Sequence, residues 1–467
     1  MRNNKGITLV ILIIYMIVTV LVVGILSKLT IHFKRNLNDL NERTMQDSEL
    51  DKLNLQMLKE TKEEYNRIVE SESTDTKIVF KNGNTYEYIA ADKAIYQNNT
   101  IKIVENIESC NFELTTTVNN NIENTKNTEY IDENGDKAII PAGFSVSGLE
   151  EEKKIENGLV IYLNHNYIQK LSVTATINGQ LRTMEYFIDN KINWADNDEI
   201  EYAKKTFDQF VWIPVTDVKD MFMCQAKTEN TICDLKIEDD EVVCQTHKTT
   251  DETNSKKMAG KLYATSTGEN FDSTLTTQTY DANSGLREPA IVTGKTDGTG
   301  EEYDGNPDNG ISLKNLQTEY NSAVKKVIKS KGFWVGRYET SGMDEDNTPV
   351  LNIVAEKGTS DGINQINWYT MYKQQQNYAN QEGLATSSNT STQSTMIFGA
   401  AWDQIIKFVN CAKETTKTKD YSEVITGNVA TDCYKNIYDL CGNLAEWTTE
   451  AYIGSHRVCR GRQVHQQ

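Results

Sequence analysis

Cysteine is scarce in this chain: eight in 467 residues, and no two of them stand as C-x-x-C. That spacing opens most zinc and dithiol redox motifs, so neither chemistry has a starting point here. Eight thiols are also too few for a disulfide scaffold of this length. Cys224, Cys233 and Cys244 share one short stretch, and Cys411, Cys433, Cys441 and Cys459 lie near the end. Spacing alone does not pair them. Basic charge is short as well, 48 Lys and Arg against 67 Asp and Glu. A net charge of −19 argues against a nucleic-acid groove, and no nucleic-acid partner is expected. Glycine and proline are missing from Lys28 to Glu60, which leaves a helix uninterrupted there.

The opening MRNNKGITLVILIIYMIVTVLVVGILSKLT is almost entirely apolar from Ile7 to Leu26. A helix rises 1.5 Å per residue, so this run is close to the thickness of a bilayer's hydrocarbon core. A cleaved secretion signal carries a shorter apolar stretch and a small-residue cleavage site. Here Phe33, Leu37 and Leu40, then Leu50, Leu53 and Met57, recur at helical spacing instead. The pattern predicts one helix that leaves the membrane and continues into water. Cations stand on both sides of the run, so charge does not orient it.

The junction Lys5-Gly6-Ile7-Thr8-Leu9-Val10 resembles that of the type IV prepilins. The resemblance implies cleavage after Gly6 by a prepilin peptidase, N-methylation of Ile7, and a helix shared between membrane and stalk. It also implies other pilin subunits as partners. The family places glutamate at the fifth mature position, where this chain has Ile11. An ordinary single-span anchor is the alternative reading.

After the helix the period changes. KIVFKNGNTYEYIA alternates around Asn82-Gly83 and predicts a hairpin, and Cys110, Phe112 and Leu114 share one face of a later strand. This gives a leader at 1–6, a transmembrane and stalk helix at 7–70, a small pilin-like antiparallel head at 71–120 and a linker at 121–138. A second unit is expected over 139–467. Within it ENGLVIYLN has a turn at Asn157-Gly158, and FDQFVWIPV reads as a buried or edge strand. Residues 250–310 are polar and aperiodic. Their acidic tip, GKTDGTGEEYDGNPDNG, lacks the spacing of an EF-hand and reads as a solvated loop. Leu313, Leu316, Tyr320, Val324 and Val327 form the stripe of an amphipathic helix. Further helices are expected over INWYTMYKQQQNYANQEG and FGAAWDQIIKFVN, with Trp368, Tyr369 and Tyr372 in the core rather than on a ligand face. The whole is α+β, with long loops.

In YDLCGNLAEW, Asp439 and Glu446 flank a Gly-Asn turn that Trp447 follows. A turn bringing two carboxylates and main-chain carbonyls together suits a hard cation. A tight turn with wet acids and a core tryptophan is the simpler reading. FVWIPV, GFWVGRYETSG, QINWYTMYKQ, GAAWDQIIKF, IYDLCGNLAEWTTE and RVCRG, in that order, resemble the sulfatase-modifying (formylglycine-generating-enzyme) superfamily, a version of the C-type-lectin-like fold. The resemblance spans about residues 140–461. It implies calcium held by the Asp439 and Glu446 side chains and the Gly442 and Leu444 carbonyls. The family's catalytic copper pair lies beyond the strand that here reads HRVCRG, and the sequence ends at Gln467, which suggests a truncated terminus. Neither copper nor catalysis is therefore expected. The function expected is that of a single-pass membrane protein with its large C-terminal portion outside the cytoplasm. Residues 7–26 would hold it in the lipid, and a lectin-like domain would bind an extracellular protein or glycan. A filament-capping minor pseudopilin and a formylglycine-generating-type oxidase are the alternatives.

Overall fold

A computed structural model describes residues 5–118, 126–163, 167–177, 179–189, 191–217, 222–224, 235–238, 241–244, 258–260, 286–287, 301–302, 311–343, 349–354, 357, 368–381, 384, 392–409, 426–427, 433–440, 446–452 and 456–460. The architecture is α+β, as expected. Two compact units emerge, 1–119 with 166–191, and 120–165 with 192–467.

The first unit begins with α1 (Lys5–Lys62), 58 residues without a break. Its stretch Leu12–Arg35 is fully exposed and, by length and composition, can cross a membrane. Near its other end Leu53 and Met57, one turn apart, are wholly buried, and Glu60 follows on the same face. Here α1 meets the antiparallel meander β1 (Lys77–Val79), β2 (Thr85–Ile89), β3 (Ala94–Gln97) and β4 (Ile101–Val104). The β1–β2 turn carries the expected Asn82-Gly83, with Gly83 at φ +88°.

That turn explains how a carboxylate is buried on α1. Glu60 accepts from Asn82 Nδ2 at 2.8 Å and from Asn66 Nδ2, Asn84 Nδ2 and the Tyr86 hydroxyl at 2.9 Å each. Four donors around one anion replace its water shell, and burial with the Glu60 contact pushes the Tyr86 phenol up. Replacing Glu60 by alanine takes the acceptor from the Asn84 amide and the Tyr86 phenol, while the Asn82 and Asn66 amides fall back on Glu63. The expected cost is about 3 kcal/mol, seen as faster hydrogen exchange across β1–β2.

The remaining sheet runs β11-β10-β5 and joins distant segments. β5 (Ile107–Val118) pairs antiparallel with β10 (Tyr167–Ile177), which pairs with β11 (Gln180–Asp189). Phe112, Leu171, Val173, Ala175, Tyr186 and Ile188 face the same core as Leu53 and Met57. The Gln169 side chain accepts from the Ile68 amide at 2.9 Å and donates to the Ile68 carbonyl at 3.1 Å. The boundary read from sequence differs here, because it left 167–189 in the second unit. A strand's place is decided by its ladder partner and not by chain order. Across the end of the linker expected at 121–138, β6 (Thr128–Ile131) and β7 (Lys137–Ile140) form a hairpin of their own.

The second unit centres on a four-stranded antiparallel sheet, β20-β12-β9-β8. It combines β8 (Phe144–Val146), β9 (Val160–Leu163), β12 (Gln209–Pro214) and β20 (Gly332–Gly336). β12 is internal, so the edge-strand reading of FVWIPV falls away. Its Val211 and Ile213 pack against α5 (Gly399–Val409), while Trp212 packs with Trp368 and Tyr372 of α4 (Trp368–Gln381). Burial on both faces is why this strand is an apolar run without alternation. Between β9 and β12, α2 (Asn197–Thr206) is capped by the Asp196 carboxylate, which accepts from Asp198 N. α3 (Leu313–Ser330) buries Leu316, Tyr320, Val324 and Val327, four of the five residues of the stripe expected of it, and the Leu313 side chain lies outside the described residues.

Shorter ladders complete the described chain. β13 (Phe222–Cys224) pairs with β16 (Met258–Gly260), β14 (Leu235–Glu238) with β15 (Glu241–Cys244), and β18 (Glu301–Glu302) with β19 (Ile311–Ser312). β21 (Ser341–Met343) pairs with β22 (Pro349–Val354), and β23 (Cys433–Tyr434) with β24 (Ile437–Tyr438). β25 (Glu446–Tyr452) lies between β17 (Leu286–Arg287) and β26 (His456–Arg460). Most of the acidic tip at 294–310 lies outside the described residues.

Candidate functional site

A dense polar cluster in the second unit starts where β20 ends. Arg337 follows the apolar FWVG and is 3 % exposed. Its Nη2 donates to Glu152 Oε1 at 2.6 Å and its Nη1 to Gln209 Oε1 at 2.8 Å, while the Ser147 hydroxyl donates to Glu152 Oε2 at 2.6 Å. Glu152 closes a short 3-10 turn, Glu150–Glu152, and Gln209 opens β12. Burial alone would pull the guanidinium down, but Tyr338 and Glu152 beside it more than reverse this and hold it charged. The guanidinium lies 5.6 and 5.7 Å from the Tyr338 and Tyr438 ring centres, and those rings stack 5.1 Å apart. Burial first, then the neighbouring Cys433, pushes the Tyr438 phenol up to about 12. Neither phenol is an acid at neutral pH.

The cluster continues into the turn that the sequence singles out. Tyr438 N donates to the Arg337 carbonyl at 2.9 Å, and Asp439 follows directly. Asp439 is 1 % exposed and adopts the left-handed region at φ +63°. Its Oδ2 accepts from the Thr426 hydroxyl at 2.9 Å and from Gly427 N at 2.8 Å, and Thr426 Oγ1 in turn accepts from Glu339 N at 3.1 Å. Burial raises the Asp439 carboxyl, and these two donors partly oppose the rise. Asp439 thus ties the segment after β20 to the turn before β25. Glu446 is the first residue of β25, registered opposite Arg460, and Trp447 packs on the main core. Gly442 and Leu444 lie outside the described residues, as do Cys411 and Cys441.

Two of the four expected calcium ligands are therefore described, and one oxygen of Asp439 already receives two hydrogens. Calcium takes six to eight oxygens. Among the described residues no three acidic, imidazole or thiol side chains come together as a metal site. No step is assigned to a metal.

Two further carboxylates, the buried Glu450 and the half-buried Glu319, hold the same unit together. Glu450 receives Arg460 through Nε at 2.8 Å and Nη2 at 2.7 Å. It fills the space over Gly399, where a Cβ would stand 2.1 Å from its carboxyl carbon, so a side chain at the start of α5 would have to displace the Glu450 carboxylate. Glu319 accepts from the Tyr372 hydroxyl, Gln376 and the Thr395 hydroxyl. Its carboxyl is raised by burial, against the lowering pull of those donors.

No known family, curated protein or solved structure matches this chain.

Trp368 and Tyr372 are buried and stack 4.8 Å apart, the core role expected from their helix. Gly6 and Ile7 stand in the first turn of α1. Arg337, Glu152, Ser147 and Gln209 were not singled out by the sequence. The one local signal for them is a cation directly after an apolar strand in FWVGRY, while its partner Glu152 is 185 residues away.

Among the described cysteines, Cys110, Cys433 and Cys459 are free thiols. Burial pushes Cys110 up to about 12, leaving on the order of one thiolate in ten thousand at pH 8. Peptide mapping after iodoacetamide treatment should find Cys110 unmodified in the folded protein and modified in urea. Labelling of the folded chain at pH 8 as fast as in urea would contradict this burial.

Proposed function

We propose that this chain is a membrane-anchored surface protein, processed after Gly6 and held in the lipid by residues 7–26. A pilin-like stem and head would carry a binding domain of the sulfatase-modifying, C-type-lectin-like type. One observation carries the reading: an exposed apolar span at the start of α1 runs without a break into a helix end buried in a folded head. Such a span needs a cover, and lipid fits its length. The second unit supports binding over catalysis through its chemistry. Glu152, Arg337, Asp439 and Glu450, all buried, are committed to turns or to cationic partners, Glu450 to the half-buried Arg460. The ligand class is an extracellular protein or glycan.

Mass spectrometry of the native N-terminal peptide tests the anchor, with N-methylated Ile7 as the expected first residue. An intact Met1 start, or cleavage beyond Leu26, overturns prepilin-type processing. Calcium at the 439–446 turn belongs to the same proposal. Ion binding to the folded state alone stabilises it by roughly 3 kcal/mol at a hundredfold excess over the dissociation constant. A melt of the full chain in calcium, magnesium or chelator reads this directly. Equal melting temperatures in all three would leave Asp439 as a hydrogen-bonded clamp and remove the metal.

A further inference from the structure

The first unit contains an open cleft of about 530 Å³, bordered by Glu70, Ser73, Asp75, Phe112, Glu113 and Leu114. It lies along β5, the end strand of the sheet β11-β10-β5. On that outer side the Phe112 N–H donates to the Asp75 carbonyl at 2.7 Å, so the strand's free edge begins just past this bond. In an antiparallel strand, groups facing one neighbour alternate with groups facing the other. The N–H and C=O of Leu114 therefore point the same way as the N–H of Phe112, toward the cleft side. Among the described residues, no strand pairs with β5 there.

The cleft's chemistry selects what could lie in it. Glu70, Asp75 and Glu113 border it, and among the described residues no lysine or arginine does. Glu70 is held in place by Gln169 Nε2 at 3.2 Å. Phe112, 3 % exposed, belongs to the core behind this edge, and the half-buried Leu114 adds apolar surface beside the acids. An unpaired strand edge takes an extended chain, and alternating side chains of that chain then meet different walls. Three carboxylates favour cations on the acidic wall. A second copy of this chain is a poor occupant, because each copy carries a net charge of −19.

We propose that this cleft receives an extended, lysine- or arginine-bearing segment of another protein, added as a strand to the outer edge of β5. The site is separate from the binding domain of the second unit, and its test is independent of that reading.

The experiment uses the full chain in detergent and fluorescence anisotropy of a labelled octapeptide alternating lysine and valine. Two companion peptides complete it: a glutamate–valine version, and a lysine–valine version N-methylated at alternate residues to remove one edge's N–H groups. Saturable binding of the lysine–valine peptide is expected. N-methylation and Glu113→Lys should each weaken it by at least about tenfold, and the acidic peptide should not bind. Equal binding of the N-methylated peptide means charge attraction without strand pairing and overturns the proposal. Unchanged binding in Glu113→Lys, or no saturable binding at all, overturns it too. Glu113 is exposed, and Glu113→Gln, with a smaller expected loss, keeps the test open if the lysine variant folds poorly.

Discussion

Replacing Gly158 by alanine is expected to destabilise the second unit by roughly 3 kcal/mol or more. Gly158 sits at φ +88°, a backbone region that residues with a Cβ occupy at a cost. Space compounds the strain. A Cβ there would stand 2.0 Å from the Lys435 carbonyl oxygen, which belongs to backbone and cannot swing aside. That carbonyl is pinned in turn, because Lys435 and Asn436 both take positive φ in the β23–β24 turn. Asn436 Nδ2 then donates to the Gly158 carbonyl at 2.8 Å. The contact joins the start of β9 to the hairpin directly before Asp439. Alanine must therefore move either β9, which pairs with β12, or the Tyr438–Asp439 segment. Denaturant unfolding followed by tryptophan fluorescence measures the loss. A Gly158→Ala protein within 1 kcal/mol of the parent would show that the β23–β24 turn does not rest on β9 as described.

The second large effect concerns the buried ion pair. Removing one charge of Arg337–Glu152 is expected to cost about 3–5 kcal/mol, because the other charge is left in a dry site. Both side chains are 5 % exposed or less. Arg337→Met strands Glu152, which keeps the Ser147 hydroxyl as a donor, and releases Gln209 Oε1 from the guanidinium. Glu152→Gln is expected to cost less, since an amide oxygen still accepts from Arg337 while the cation loses its counter-charge. The double variant should recover part of the sum, because neither charge is then buried alone. Additive losses in that cycle would mean the two residues act independently, contrary to their 2.6 Å contact.

Much of this fold is visible in the chain before any coordinates. The apolar run after Gly6, the Asn82-Gly83 hairpin, and the stripe through Leu316, Tyr320, Val324 and Val327 each depend on neighbours a few residues away. Local periodicity reports such neighbours directly. The turn around Asp439 is marked for the same reason, by a Gly-Asn pair between acids. What periodicity does not report is which acids stay wet. Asp439 reads in the sequence as a ligand or a solvated group. In the fold it is buried and hydrogen-bonded to Thr426 and Gly427.

By itself, then, the sequence determined the existence and type of the elements: one long helix with an apolar start, a small antiparallel head, and an aromatic α+β unit. Tertiary structure alone decided their partnerships. It sent 167–189 back to β5, placed β12 between two cores, and paired Arg337 with Glu152. The physical reason is that ladder hydrogen bonds and buried charges are satisfied by groups brought together across 100 residues or more, as Gln169 is with Ile68. No local spacing encodes such a distance.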